Sequence, residues 1–229
     1  MKVLTVSGIS KAFDDRVVVD SLSLDIDDCE IVGLIGPPNS GKTTALRIIA
    51  GLVAPDRGTV TVRGTRVSPG TRSNEIAFCD GKSALWSGLT CAEHLLVCAN
   101  VIGLPRKVAA NRAKELLHEL AIDDCHDRRI EAINAIERQR LEIATQLLAQ
   151  PSILLLDEPC VHTDDEASRE ILFECLNEIA SHRSLLITAQ NADCRLHHRA
   201  ISLVEGSLGP IMRDDPADSV IIECGPIVH

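Results

Sequence analysis

The sequence contains very few aromatic residues, which make up 2% of its 229 positions and include no tyrosine. Its hydrophobic core must therefore be built from aliphatic side chains, and the 45% share of apolar residues is enough for a sizeable one. The scarcity of rings argues against a platform for single-stranded nucleic acid, because such platforms stack bases on exposed aromatic side chains. The formal net charge of −10 also opposes binding to DNA or to an anionic lipid surface. No nucleic-acid partner is expected.

Long apolar runs are absent as well. Residues 1–30 alternate charged and apolar positions, so we do not expect a secretory signal. The longest apolar stretches, such as Leu95–Leu104, fall short of the roughly 20 residues that cross a membrane. Any association with a membrane is therefore expected to come through another polypeptide.

The nine cysteines form no Cys-x-x-Cys pair, and their number is odd. This composition favours a reduced chain in which cysteine serves as a small buried apolar residue. Cys91, His94 and Cys98 would share one face of a helix that begins with a capping box of Thr90 and Glu93. A metal site on that face is the less favoured alternative, because no fourth ligand lies nearby in the sequence.

The spacing of apolar residues predicts a β-rich start, a helical lobe from Thr90 to Ala149, and a return to alternating strands and helices. The length suits one large α/β domain or a core with a small inserted lobe. The predicted strands cover residues 3–9, 17–26, 31–35, 59–62, 66–68, 76–79, 153–156, 184–188, 200–204 and 219–223. The predicted helices cover residues 42–50, 108–120, 137–149 and 166–181, besides the one that Thr90 caps.

The first motif that indicates a chemical function is a phosphate-binding loop. Its fixed positions are all matched by Gly36-Pro37-Pro38-Asn39-Ser40-Gly41-Lys42-Thr43, with an apolar strand before them and a helix after. The glycines let backbone N–H groups curl around phosphates, and the helix N-terminus adds positive potential. Lys42 is expected to reach the β- and γ-phosphates, and the Thr43 hydroxyl to ligate Mg²⁺. The loop from Gly36 to Thr44 therefore predicts binding of ATP·Mg²⁺.

The second motif is a pair of carboxylates after an apolar strand, in the run Ile153–Pro159. Such a pair supplies one acid for the metal ion and one for the attacking water. We expect Asp157 to hold Mg²⁺ through water, and Glu158 to be the general base that polarises the hydrolytic water.

The phosphate loop, the run Leu154–Pro159 and the lobe between them resemble an ATP-binding cassette (ABC) ATPase over nearly the whole chain. The resemblance implies an α/β P-loop NTPase core with a mixed, largely parallel sheet, an N-terminal antiparallel β-subdomain and an inserted helical subdomain. It places the nucleotide-binding core and β-subdomain in residues 1–80 and 150–229, and the helical subdomain in 81–149. Phe13 stands where the family sets an aromatic ring against adenine, although packing in the core is its alternative role.

In that family two cassettes form a head-to-tail dimer, and each ATP faces the other subunit's signature sequence, Leu-Ser-Gly-Gly-Gln. Here the signature reads Ile133-Asn134-Ala135-Ile136-Glu137. The serine that would bind the opposite γ-phosphate is missing, and so are the glycines that permit close backbone approach. Glu137 adds a negative charge that repels a polyphosphate. We expect this half-site to be disabled.

Two further elements depart from the family pattern. The glutamine position of the Q-loop falls on Gly81, or on Asp80 if the loop has shifted by one residue. The switch histidine is replaced by Gln190, which can donate a hydrogen bond to the γ-phosphate but cannot carry charge. Asp164 keeps the acidic position of the D-loop, and we interpret His162 as a loop residue.

The resemblance implies the ATP-binding subunit of an ABC transporter, coupling ATP binding and hydrolysis to transport by a separate membrane permease. It would lie in the cytoplasm, peripheral on the membrane through that permease, beside a second ABC ATPase subunit in a homo- or heterodimer. The altered elements predict low hydrolysis by the isolated chain. The alternative is a nucleotide-sensing regulatory module without turnover, which the lost signature favours and the retained Glu158 and Asp164 oppose.

Overall fold

The computed structural model describes residues 1–70, 73–82, 85–160, 166–190, 199–204 and 206–213. The N-terminal part forms an antiparallel sheet of four strands, in the order β2-β1-β4-β5. These strands are β1 (Lys2–Phe13), β2 (Arg16–Asp27), β4 (Arg57–Val62) and β5 (Thr65–Arg66). The turn between β1 and β2 is tight, because Phe13 pairs with Arg16 and Asp14 adopts a positive φ of 52°. This sheet is the expected antiparallel β-subdomain.

A second sheet of six strands forms the centre of the molecule, in the order β10-β9-β3-β8-β7-β6. Its strands are β3 (Ile31–Ile35), β6 (Ile76–Cys79), β7 (Ile153–Leu156), β8 (Ser184–Ala189), β9 (Arg199–Val204) and β10 (Ser207–Arg213). Only the β9–β10 pair is antiparallel among these described strands. The mixed, largely parallel sheet of a P-loop fold is thereby confirmed.

The described residues include five α-helices: α1 (Lys42–Ile49), α2 (Cys91–Val101), α3 (Arg106–Glu119), α4 (Ala135–Leu147) and α5 (Glu166–Ala180). Two 3-10 turns, Asp123–Cys125 and Ile130–Ala132, lie between α3 and α4. The predicted capping box of Thr90 and Glu93 is present at the start of α2. Within the described ranges, none of the helices has both the length and the apolar character needed to cross a membrane.

Alternate residues of the central strands enter two different cores, because successive side chains of a strand point to opposite faces of its sheet. On β7, Leu154 and Leu156 pack with α2, α3, α4 and α5, whereas Ile153 and Leu155 pack with α1 and the antiparallel sheet. Helices α2 to α4 all fall between β6 and β7 along the chain. The division into a core and a helical subdomain at residues 81 and 149 stays a prediction.

The sequence-based bounds agree closely with the structure at the buried strands. Strands 31–35, 76–79 and 153–156 match residue for residue, because their apolar runs end sharply at a glycine or an aspartate. Strands β1, β2 and β4 are longer than predicted, whereas β5 ends at Arg66, before the predicted end at residue 68. Strand β10 was not predicted. The predicted strand 219–223 lies outside the described residues. The carboxyl ends of β3, β7 and β8 meet at one edge of the sheet, and the functional residues follow them.

Candidate functional site

The phosphate loop connects β3 to α1 and borders a cavity of about 770 Å³. Two glycines let the loop lie directly against neighbouring backbone. A Cβ on Gly36 would stand 2.1 Å from the Leu203 carbonyl oxygen, and one on Gly41 would stand 2.3 Å from that of Val18. Gly41 also has a φ of 99° at the N-cap of α1, a conformation that side chains disfavour. Packing against neighbouring backbone therefore requires glycine at both positions.

We expect Gly41→Ala to lower the free energy of unfolding by about 2–3 kcal/mol, since the new methyl group must displace backbone. Urea denaturation would measure the change. Gly64→Ala is the matched control, because Gly64 also has a positive φ, 77°, but no atom within 4 Å of an added Cβ. An equal loss in both variants would show that close packing on Val18 does not restrict the loop.

Lys42 is buried at the start of α1, with 4% of its surface exposed. Its Nζ donates hydrogen bonds to the carbonyl oxygens of Gly36 (2.7 Å) and Pro37 (2.9 Å), and lies 3.6 Å from Glu158 Oε1. The hydroxyl of Ser40 is buried in the wall of the same cavity and has no hydrogen-bond partner. A buried cation and an orphaned hydroxyl beside an open cavity are suited to an anionic ligand.

Asp157 and Glu158 follow β7 and are joined by the hydroxyl of Thr188 on β8. Thr188 Oγ1 donates to Asp157 Oδ1 (2.7 Å) and accepts from the backbone N–H of Glu158 (2.9 Å). Gln190 Nε2 donates to Glu158 Oε2 at 3.1 Å. The structure thus places Lys42 beside one carboxylate oxygen of Glu158 and Gln190 beside the other, while the roles of these residues in hydrolysis stay predictions.

The residues at the edge of the cavity include oxygen donors suited to Mg²⁺. Thr43 lines the same cavity as Glu158, and Asp157 is the residue next to Glu158. A hydroxyl and a carboxylate are hard oxygen ligands, which Mg²⁺ prefers alongside phosphate oxygens and water. The residues present therefore fit the metal ion that the motif implies.

The walls of the cavity include residues that the sequence analysis missed. Besides Pro37–Thr44 and Glu158, the lining comprises Arg16, Val17, Val18 and Gly206. Gly206 donates its backbone N–H to the Ser40 carbonyl oxygen (3.1 Å) and so joins the loop to the residue that precedes β10. Gly206 carries no motif, and no local signal could have found it.

Phe13 is near this cavity but not in its lining. It ends β1 opposite Arg16, is 47% exposed, and its ring centroid lies 5.4 Å from Lys11 Nζ. Arg16 and Val17 of the next strand line the cavity instead. This exposure does not favour the alternative role of Phe13 in the core, and its contact with adenine stays a prediction.

The altered signature forms the start of α4 and is capped by its own side chains. Asn134 Oδ1 accepts from the Glu137 N–H, and Glu137 Oε2 accepts from the Asn134 N–H, both at 2.8 Å. Arg128 Nη1 donates to Glu137 Oε1 at 2.8 Å. Partial burial raises the pKa of Glu137, but the Asn134 N–H and Arg128 outweigh it and lower the pKa overall. An internal carboxylate therefore already occupies the helix terminus that would face an incoming phosphate.

The Q-loop candidates follow β6, and the end of β6 lies beside Asp157. The Asp157 N–H donates to the Cys79 carbonyl oxygen (2.8 Å), which brings Asp80 next to it. Asp80 Oδ2 lies 3.5 Å from Arg47 Nη2 on α1, and Gly81 has a positive φ of 69°. The choice between Asp80 and Gly81 stays open. His162 and Asp164 lie outside the described residues.

The cysteine and histidine residues of α2 are held among apolar neighbours. His94 is 2% exposed, its Nε2 lies 3.6 Å from Cys98 Sγ, and its ring meets that of Trp86 edge-on at 5.3 Å. Burial lowers the pKa of His94 and raises the pKa values of the Cys91 and Cys98 thiols. Over the described ranges, no three His, Cys, Asp or Glu side chains are grouped to hold a metal ion.

The sequence matches a known protein family and individual relatives within it. Residues 19–161, more than half of the chain, match the family described as ABC transporter. The lipoprotein-releasing system ATP-binding protein LolD of Bacteroides fragilis is 29% identical over 215 residues, 90% of this chain and 100% of that protein. The lipopolysaccharide export system ATP-binding protein LptB of Haemophilus influenzae is 33% identical over 169 residues, 72% of this chain and 70% of that protein.

Two solved structures share the fold. The ADP form of MJ1267, an ATP-binding cassette of an ABC transporter, superposes with a TM-score of 0.81 and 18% identity, covering 93% of this chain and 91% of that one. The dimeric ATP-binding cassette MJ0796, bound to ADP and Pi, superposes with a TM-score of 0.80 and 20% identity. This match covers 92% of this chain and 98% of that one. At these identities the similarity shows the fold alone.

Proposed function

The chain belongs to the ABC transporter family as an ATP-binding subunit, and we propose that it binds ATP·Mg²⁺ in the cavity of the phosphate loop. On this proposal it transmits nucleotide binding to a separate membrane permease and hydrolyses ATP slowly unless a second cassette completes its site. The observation that carries the proposal is the meeting of Lys42 and Glu158 in the lining of that cavity, with Lys42 Nζ 3.6 Å from Glu158 Oε1. Gln190 Nε2 contacts the other carboxylate oxygen of Glu158, Oε2, at 3.1 Å.

The roles of the residues follow from their places. Lys42 binds the β- and γ-phosphates, and exchanges its bonds to the loop carbonyls for bonds to phosphate. Thr43 and Asp157 hold Mg²⁺, which when bound offsets the phosphate charge. Glu158 accepts a proton from the attacking water, and Gln190 keeps the carboxylate of Glu158 turned toward the cavity. Phe13 contributes to adenine binding from the rim.

Slow hydrolysis by the isolated chain follows from the start of α4. The γ-phosphate of an ATP bound to a partner cassette would be repelled by the Glu137 carboxylate. The Glu137 N–H could not bind that phosphate, because it already donates to Asn134. Losing a donor to a developing phosphate charge costs roughly 2–4 kcal/mol of barrier. In a homodimer, both nucleotide sites would face the capped start of α4 from the other subunit. A second cassette with an intact signature would instead complete the site on this chain.

The capped start of α4 also favours the alternative function, a regulatory module without turnover. Against it stand Asp157 and Glu158, which are held by Thr188 in an arrangement that nucleotide sensing alone does not require. We therefore place transport first.

Purification in mild detergent tests the proposed function. We expect an integral membrane protein and a cassette with an intact signature to accompany the chain, and ATP hydrolysis by that complex to fall at least about 100-fold in Glu158→Gln. The chain would be a regulatory module if it bound ATP but co-purified with no membrane protein and the assembly had no Glu158-dependent turnover.

A further inference from the structure

We propose that Thr188 is the positioning residue of this site: its hydroxyl fixes the metal-side acid Asp157 and the base Glu158 at once. The inference rests on the proposed function, because it concerns how the chain prepares its site for ATP·Mg²⁺. Thr188 belongs to no sequence motif. It lies on β8, two residues before Gln190.

The hydrogen bonds of Thr188 leave its hydroxyl little freedom. The side chain is completely buried, its proton goes to Asp157 Oδ1 at 2.7 Å, and its oxygen accepts the Glu158 N–H at 2.9 Å. A hydroxyl can donate only one hydrogen bond, so the bond to Asp157 leaves the oxygen to accept from Glu158. One buried group thereby orients a carboxylate and a backbone amide of adjacent residues.

The backbone of Glu158 shows why that bond matters. Glu158 has a φ of 49°, in the left-handed region that side chains other than glycine rarely adopt. Such a conformation costs on the order of 1–3 kcal/mol and persists only where neighbours enforce it. The bond from the Glu158 N–H to Thr188 enforces it, and the side chain then reaches Lys42 (3.6 Å) and Gln190 (3.1 Å).

The end of β8 also connects this pair to the phosphate loop. Ala189, the next residue, accepts the Gly36 N–H at 3.1 Å. Parallel pairing places Ile187 beside Leu156, so the Thr188 hydroxyl reaches across from β8 to the residues that follow β7. Groups that orient metal ligands in this way typically change metal affinity or activity 10- to 100-fold when removed.

The test compares Thr188→Val, which keeps the side-chain shape without the hydroxyl, with Thr188→Ser, which keeps the hydroxyl. Ser184→Ala is the control: it removes another buried hydroxyl from β8, one that donates to the Asp27 carbonyl oxygen at the opposite end of the strand. Calorimetry would measure the affinity of each full-length protein for ADP without metal, and then the affinity of the ADP complex for Mg²⁺.

We expect Thr188→Val to weaken Mg²⁺ binding by about 10- to 100-fold while metal-free ADP binding changes less than about threefold. Thr188→Ser and Ser184→Ala should stay within about threefold of wild type in both measurements. Unchanged Mg²⁺ affinity in Thr188→Val would overturn the inference, and so would an equal loss of metal-free ADP binding, which would mark a purely structural role. A wild-type chain that binds no nucleotide would overturn the proposed function itself.

Discussion

Replacing Lys42 with methionine is expected to weaken ATP binding by at least about 100-fold, which corresponds to about 2.7 kcal/mol. Methionine fills much of the same space but cannot donate hydrogen bonds. The variant loses two or more charge-assisted bonds to phosphate, each contributing on the order of 1.5–3 kcal/mol. Lys42 is buried 3.6 Å from Glu158, whereas Arg16, the other cation of the described cavity wall, begins β2 opposite Phe13.

Calorimetric titration with ATP·Mg²⁺ would measure this loss. Lys114→Met is the matched control, because Lys114 is an exposed residue of α3 outside the cavity lining, and the same charge is removed. We expect the control to bind as wild type does. An affinity of Lys42→Met within tenfold of wild type would contradict the assignment of the cavity to the triphosphate.

Restoring the signature is expected to raise ATP hydrolysis by the isolated chain roughly 100-fold, about the effect of regaining one donor to the transition state. The change replaces residues 133–137 with Leu-Ser-Gly-Gly-Gln. It removes the Glu137 carboxylate from the start of α4, supplies a serine hydroxyl in place of Asn134, and removes two side chains that block backbone approach. Arg128 keeps its bond to the Ala132 carbonyl oxygen (2.7 Å), so the preceding turn stays anchored.

Steady-state release of phosphate at saturating ATP·Mg²⁺ would measure the gain. The same replacement combined with Glu158→Gln is the control and should return the rate to the level of the unaltered chain. A restored signature that leaves hydrolysis unchanged, in a protein that still dimerises with ATP, would show that α4 does not limit turnover. The limiting element would then lie at the Q-loop position, Asp80 or Gly81, or at Gln190.

Much of the fold was predictable because its strongest signals are local. The apolar run Ile153–Leu156 is buried on both faces of the sheet, so its limits coincide with its hydrophobicity. Helix bounds were less accurate: α4 begins at Ala135 rather than at residue 137, because Asn134 and Glu137 cap it. An Asn followed three residues later by Glu is itself an N-terminal signal. The charge of Glu137 predicts only repulsion of a phosphate, whereas the structure shows that its side chain also caps α4.

The parts of the site that escaped prediction depend on distant chain segments meeting. Thr188 accepts a hydrogen bond from Glu158, which lies 30 residues earlier in the sequence. Gly206, just before β10, donates a hydrogen bond to Ser40 of the phosphate loop. The ion pair of Arg128 with Glu137 likewise requires the turn between α3 and α4 to fold back. Spacing within a motif carries no information about such contacts, whereas the phosphate loop and the acidic pair are contiguous in the sequence.

The most direct test of the account is the rate at which the purified, unaltered chain hydrolyses saturating ATP·Mg²⁺, measured beside Glu158→Gln on samples shown by calorimetry to bind the nucleotide. The account predicts full binding by both proteins, and a rate for the unaltered chain that rises at least about tenfold when a partner cassette with an intact signature is added. Rapid hydrolysis by the chain alone, abolished by Glu158→Gln, would contradict it.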